Sequence, residues 1–306
     1  MIDLRSGARL ERLLRHGVFS VTAEVVPPRS ADPEGVRRQA RALVGYADAA
    51  NVTDNPAASA HMSSEAGAAF VAEAGLEPIV QLACRDRNRL ALTSSLLGAW
   101  ALGARCVLCL TGDPATVGDH PDAPGVYDLA VTDLVRLART LRDEGRLLSG
   151  QVIDGAPRYL IGVADLPLAE RYDFGRLEAK VEAGADFVQT QIVFDVDAFG
   201  AWAERARERG LFEQVSLLVG TAVPSSARAA RFLRDLPGVA VPDPVIQRLD
   251  EAGPAAAEEG VRVTAEVIAR LKAVRGVAGV HLMGLGRPES VTATVQAAGL
   301  YPRPVV

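Results

Sequence analysis

Short apolar, β-rich runs separated by longer Ala-, Leu-, Arg- and Glu-rich stretches recur along the whole chain of 306 residues. Eight can be read: VTAEVV from Val21, AANVTD from Ala49, EPIVQLA from Glu77, CVLCLTG from Cys106, YLIGVAD from Tyr159, FVQTQIV from Phe187, QVSLLVGT from Gln214 and VAGVHLMG from Val277. The runs are nearly continuous rather than alternating, the pattern of parallel strands covered by helices. The stretches between them have helical period, as in PEGVRRQARALVGYA and RNRLALTSSLLGAWALG. Gly75, Gly103 and Gly184 stand just ahead of the next strand, where a helix C-terminus takes a left-handed residue. Eight such units predict an α/β fold, a (β/α)8 TIM barrel, read as a single catalytic domain over residues 1–306. The segment before the first strand reads as an extra N-terminal helix closing the barrel floor. A doubly wound open sheet is the alternative, but no G-x-G-x-x-G follows the first strand. The G-x-G at Gly284 and Gly286 lies in a late loop and reads as a turn.

Composition limits the functions open to such a chain. With 49% hydrophobic residues it can bury a core, and a net charge of −5 without basic runs makes nucleic acid a poor partner. No stretch is apolar for long enough to span a membrane. The segment MIDLRSGARLERLLRHG is charged and amphipathic, without the apolar centre of a signal peptide. Three cysteines fit a reducing, cytoplasmic setting better than a disulfide framework. Cys106 and Cys109 have a redox-like spacing, yet alternation along a strand would send the two thiols to opposite faces, as buried hydrophobes. His16, His61, His120 and His281 share no ligand spacing, so no metal site is expected. The basic complement is 31 Arg and only two Lys, Lys180 and Lys272.

In a barrel of this kind the chemistry sits at the C-terminal strand ends. Those ends carry Glu24, Thr53-Asp54-Asn55, Gln81 with Cys84-Arg85-Asp86, Thr111-Gly112-Asp113, Asp165 and Gln191. Glu24, between Ala23 and Val25, should be partly desolvated, which raises a carboxyl pKa and suits a general acid. The other reading is a salt bridge to one of the many arginines. Asp113 follows a glycine that leaves backbone open to a ligand; it could equally cap the next helix. Gln191 offers an amide to a heterocycle edge, or else belongs to a hydrogen-bonded layer in the barrel. The residues alone point to a barrel enzyme that binds a flat heterocycle.

The segments VTAEVVPPRS, YADAANVTDNPA, EPIVQLACRDRNRLAL, ALGARCVLCLTGDPATVGDHP, VYDLAVTDL, KVEAGADFVQTQIVFD and GVAGVHLMG resemble, in order, the methylenetetrahydrofolate reductase family, most closely its short bacterial branch. The resemblance implies a barrel that binds FAD and reduces 5,10-methylenetetrahydrofolate to 5-methyltetrahydrofolate, with NADH or NADPH as electron donor. Carried over by motif, Glu24 is the catalytic acid that protonates folate N10, and Asp113 tunes flavin and folate. Gln191 binds the folate substrate, with Asp113 and Gln81 beside it. Thr53, Gln81, Thr111, Gly112, Asp113, Tyr127, Ala164 and Asp165 fall on flavin-contacting positions, and Lys180 on a lysine that contacts flavin and its phosphates. The blander reading of Lys180 is a pair with Glu178 or Glu182.

The chain departs from the family pattern at several points. Gln81 stands where a flavin-contacting histidine is common, and Thr111 replaces an arginine. Leu166 occupies a polar or stacking position, and Pro224 lies one residue from the usual proline. These changes bear on FAD affinity and on the electron donor. Some relatives pass hydride directly from NADH without flavin, and others depend on an electron-input partner subunit with an iron–sulfur cluster. With three cysteines, none suitably spaced, such a cluster would belong to another chain. Homo-oligomerisation is also compatible with the sequence.

Overall fold

A computed structural model describes residues 4–305. After helix α1 (Arg9–Arg15) come β1 (Ser20–Val25), α2 (Glu34–Leu43), β2 (Ala49–Val52), α3 (Ser64–Glu73), β3 (Pro78–Ala83), α4 (Arg89–Ala101), β4 (Cys106–Leu110) and α5 (Val131–Glu144). The second half runs β5 (Leu160–Asp165), α6 (Phe174–Ala183), β6 (Phe187–Ile192), α7 (Val196–Glu208), β7 (Ser216–Ala222), α8 (Ala227–Arg234), α9 (Asp243–Glu251), α10 (Ala256–Ala273), β8 (Val277–Met283) and α11 (Pro288–Ala297). Among the described residues the eight strands form one closed parallel barrel in chain order, β8 pairing with β1. The predicted (β/α)8 barrel is therefore the fold. The seventh crossover departs from the simple repeat, holding three helices where one was expected. Pro237, Pro242, Pro244 and Pro254 punctuate it, and proline cannot continue a helix interior.

Side-chain alternation divides the apolar residues into two sets. Val21, Ala23 and Val25 join the large cluster between the sheet and the outer helices. Ile79, Cys106, Leu108, Leu160, Phe187 and Leu218 fill the lower barrel interior, where Ala8 and Leu10 of the N-terminal segment plug the floor. Cys106 and Cys109 fall in different clusters, so the thiols face opposite sides. Helix α1 lacks a side-chain cap; instead Arg9 and Leu10 donate their first-turn amides to the Glu77 carboxylate at 2.6 and 2.9 Å. Elsewhere Ser63, Asn88, Asp173, Asp195 and Ser226 each accept an amide of the helix they precede, the usual way to satisfy orphan donors. At the floor, buried Asp48 takes the Val21 amide and an ion pair from Arg303 at 2.7 Å, tying the C-terminal segment to β1. No helix among the described residues is long and apolar enough to cross a membrane.

Candidate active site

Closing the barrel aims the inward residues of the strand ends at one point. They line a cavity of about 440 Å³, within the usual range for small-molecule sites. Glu24, Thr53, Gln81, Thr111, Gly112, Asp113, Ala164, Asp165, Lys180 and Gln191 all border it, so ten of the eleven positions to which the family resemblance gives a role are brought together. Tyr127 is not. It sits on the long loop after β4 with a left-handed φ of 41°, is 42% exposed, and is fixed by its amide donating to the Cys84 carbonyl.

Glu24 is the inward residue at the top of β1, opposite Asn51 of β2. Among the described residues its carboxyl has neither a hydrogen-bond partner nor an ion pair, so the salt-bridge reading does not hold. The side chain opens on the cavity while protein surrounds it, and burial alone pushes its carboxyl up to about 7. Asp113 is exposed, and its side chain is equally unpartnered. It caps no helix: the short 3₁₀ turn Ala115–Val117 begins after Pro114 with no side-chain cap.

Gln191 is half-buried, its Oε1 accepting the Ile192 amide at 3.0 Å and its Nε2 reaching the Pro237 carbonyl at 3.4 Å. The hydrogen-bonded barrel layer is built instead from Asn51 and Gln189. Asn51 Nδ2 donates to Gln189 Oε1 at 2.8 Å across the barrel, from positions 138 residues apart. Gln189 lines the cavity floor, and neither residue was singled out in the sequence.

Arg85 was visible at the end of β3, but not what it does. It is buried, gives two nitrogens to Asp86, and reaches the Asp113 and Asn55 carbonyls at 3.0 and 3.2 Å. One guanidinium thus fixes the loops after β2, β3 and β4. Gly112 passes over it with φ of +88°; a Cβ there would lie 2.9 Å from Arg85 Cβ. Thr53 Oγ1 is buried without a protein partner, and the Gln81 amide borders the cavity. The adjoining wall includes left-handed Asn55 and Ala57, at φ of 46° and 51°, a sterically unfavourable backbone for residues with a Cβ.

Lys180 projects from α6 to the end of β5. Its Nζ donates to the Ala164 carbonyl at 2.7 Å and lies 3.8 Å from Asp165 Oδ1. It pairs with neither Glu178 nor Glu182; Glu178 binds Arg209. Burial lowers the Lys180 pKa and raises that of Asp165, which also accepts the Tyr172 hydroxyl at 2.6 Å. Leu166 borders the cavity and packs on Gly238, whereas Pro224 is buried with its carbonyl against Gly260 of α10. The three thiols are buried; Cys84 is pushed up to about 11 by desolvation. The site thus offers one near-neutral carboxyl and several amide and hydroxyl groups to a polar, flat ligand.

Comparison with known proteins places this geometry in a lineage. The sequence model of the methylenetetrahydrofolate reductase family matches residues 9–299. Methylenetetrahydrofolate reductase 1 of Schizosaccharomyces pombe is 26% identical over 238 residues, covering 74% of this chain and 36% of that protein. A probable methylenetetrahydrofolate reductase (NADPH) of Caenorhabditis elegans is 24% identical over 306 residues, 96% of this chain and 44% of the nematode protein. The Escherichia coli 5,10-methylenetetrahydrofolate reductase is 24% identical over 237 residues, 74% of this chain and 72% of that one. The chain thus spans less than half the length of the first two relatives. Among solved structures, an uncharacterized Clostridium thermocellum protein that binds two copies of 5-methyl-5,6,7,8-tetrahydrofolic acid superposes with a TM-score of 0.63 at 14% identity, covering 94% of this chain and 97% of that one. DmoA from Hyphomicrobium sulfonivorans gives 0.57 at 11% identity, covering 91% and 86%. At such identities these two likenesses speak for the fold alone.

Proposed function

The chain belongs to the methylenetetrahydrofolate reductase family, and from that premise we propose that its barrel-top cavity reduces 5,10-methylenetetrahydrofolate to 5-methyltetrahydrofolate. The observation that carries the proposal is Glu24, an unpaired carboxyl facing the cavity with its pKa lifted to about 7 by burial. Such a group keeps a proton near neutrality and can give it to folate N10. Protonation opens the five-membered ring and leaves a 5-iminium carbon ready for hydride. Gln191 would offer its amide to the pterin edge in exchange for the long 3.4 Å contact with the Pro237 carbonyl, and Asp113 would present its side chain from the loop after β4. The C. thermocellum protein that binds 5-methyltetrahydrofolic acid on a similar barrel is in keeping with a folate ligand.

The residues present fit a flavin ring. The Thr53 hydroxyl is buried with no protein partner, and the Gln81 amide and the Gly112 backbone border the cavity beside it. Thr53, Gln81, Thr111, Gly112, Ala164 and Asp165 would hold the ring of FAD, with Lys180 as the nearby ammonium. Bound there and reduced by NADH or NADPH, a flavin would supply hydride chemistry at this site. The protein's own share is to exclude water, orient the two flat partners and deliver the Glu24 proton. Burial of the three thiols is consistent with work in a reducing cytoplasm.

A second reading, direct hydride transfer from NADH without flavin, draws on Tyr127, which lies outside the cavity lining. The visible spectrum of the purified protein separates the two. Yellow protein, bleached by NADH and restored by methylenetetrahydrofolate, supports FAD; a colourless, active protein supports direct transfer. Flavin that both NADH and NADPH leave oxidised points to an electron-input partner. Absence of folate reduction with every donor overturns the proposal.

A further inference from the structure

Glu24 borders two spaces. Beside the main cavity lies a notch of about 10 Å³ between the end of β1 and the loop after β8, walled by Glu24, Val26, Gln39, Val291 and residues 284–288. That volume is about one water-sized probe, the least that can hold a water molecule, and a water also needs polar partners. The Glu24 carboxyl is one. The Leu285 and Gly286 amides, on the loop that walls the notch, make no hydrogen bond among the described residues and are available as others. Gln39 does not swing into the notch: its amide clamps Val26, accepting the Val26 N–H at 3.2 Å and donating to the Val26 carbonyl at 3.0 Å.

The outer wall is held in a costly shape. Leu285 takes a left-handed φ of 51°, followed by Gly286 at 81°. A left-handed non-glycine residue costs on the order of 1 kcal/mol. Gly284 is buried at the inner end, where a Cβ would lie 2.6 Å from the Arg287 carbonyl oxygen, and residues 285–287 are exposed. The notch therefore lies between the carboxyl and an exposed loop, and none of its lining residues except Glu24 borders the main cavity.

We propose that this notch is a one-water site behind Glu24, through which the carboxyl exchanges its proton with solvent while folate fills the cavity. The inference rests on the folate-reduction reading. In that reaction Glu24 loses a proton to N10 and becomes a carboxylate sealed against bound folate. The water behind it gives up one proton to the carboxylate and takes one from solvent, restoring the acid with no change in oxidation state. The charged groups around Glu24 leave this route open. Arg287 is exposed at the outer end, and buried Asp54 beyond β2 is held by Arg87 at 2.6 Å. On β8, His281 is bonded to Thr22, and burial pushes it down to about 3, so it stays neutral. Across the cavity, Asp165 and Lys180 face each other, Arg85 holds Asp86, and Asp113 is exposed.

Val26→Ile tests this, because one added methylene is about the size of a single water and would take its place in a notch with room for one; Val26→Ala is the control that widens it. The readout is hydrogen–deuterium exchange of the Glu24 carboxyl band in the infrared, assigned by its loss in Glu24→Gln. With 5-methyltetrahydrofolate saturating the protein, Val26→Ile should slow exchange by about an order of magnitude or more, while Val26→Ala exchanges like wild type. Without folate all three should exchange equally through the open mouth. Equal exchange in the folate complexes, or equal slowing with and without folate, overturns the proposal. A second arm needs no folate. A crystal structure at atomic resolution should show a water on Glu24 in the notch of wild type and none in Val26→Ile; no water in wild type overturns the proposal. Failure of 5-methyltetrahydrofolate to bind counts against the folate reading alone, and the water arm still decides the notch.

Discussion

Glu24→Gln separates the proton from the shape of the group that carries it. A carboxyl with a pKa of about 7 is half protonated at neutral pH, whereas one at the ordinary 4.5 would be protonated to roughly 0.3%. Burial thus raises the supply of acid by about two orders of magnitude, and general acids contribute about 10²–10⁴-fold to rate. Glu24→Gln should therefore slow reduction of methylenetetrahydrofolate by about 10²–10⁴-fold, while reduction of the protein by the nicotinamide stays near normal. In wild type the folate step should fall tenfold per unit as pH rises above about 7. The same shift sets a stability signature. Below pH 4.5 both folded and unfolded chains hold the proton and nothing is lost. From 4.5 to about 7 the unfolded chain ionises while the folded one does not, so stability falls as pH rises. The full loss is at most about 3 kcal/mol, and less because the carboxyl opens on a wet cavity. Glu24→Gln should be the more stable protein at pH 8 and lose that advantage toward pH 4.5. Stopped-flow half-reactions and urea unfolding across this range are the assays. Equal damage to both half-reactions, or a stability difference that does not move with pH, would refute the reasoning.

Asp113→Asn removes an exposed, unpartnered carboxylate at the cavity, so it should slow both half-reactions by about tenfold, less than Glu24→Gln slows the folate step; stopped-flow absorbance measures both. Lys180→Met leaves buried Asp165 with the Tyr172 hydroxyl and the Leu166 amide but no cation, and should cost about 3 kcal/mol in urea unfolding; an unchanged midpoint would show that the ammonium does not support Asp165. Gly112→Ala forces a Cβ to 2.9 Å from Arg85 Cβ at a left-handed φ, so it should cost about 1–3 kcal/mol and weaken binding of 5-methyltetrahydrofolate by calorimetry.

The barrel was legible because each strand is buried on both faces, so every unit carries its own apolar run and can be read without knowing its neighbours. The ring of polar residues was legible for the same reason. Glu24, Gln81 and Gln191 interrupt apolar strands, and the interruption is the signal. Pairings across the barrel leave no such trace. Asn51 and Gln189 meet only because β2 and β6 face each other inside a closed sheet, and nothing in AANV or FVQTQ marks one as the other's partner. Arg85 was visible as a residue but not as the tie among three loops, since its acceptors are backbone carbonyls that any sequence supplies. Tyr127 lies outside the cavity lining for the opposite reason: the loop after β4 is long, and its path is set by turns rather than by an apolar face. The notch behind Glu24 was out of reach altogether, since it exists only where the last strand closes on the first.

How a carboxyl stays uncharged in a chain with 31 arginines is then a question of where those arginines are already committed. Each cation bordering the main cavity is taken: Arg85 by Asp86 and two loop carbonyls, Lys180 by the Ala164 carbonyl and Asp165. Arg87, close by, is held by Asp54. A single misplaced guanidinium within about 4–6 Å would lower the Glu24 pKa by about one to three units and cut its acid form at neutral pH from about half to about a tenth or less. The acidic partners Asp54, Asp86 and Asp165 therefore serve Glu24 without touching it. Losing Asp165 leaves Lys180 with only the Ala164 carbonyl at the cavity wall, so Asp165→Asn should lower the Glu24 pKa, read as a downward shift in the pH profile of the folate step, even though Glu24's own contacts are unchanged.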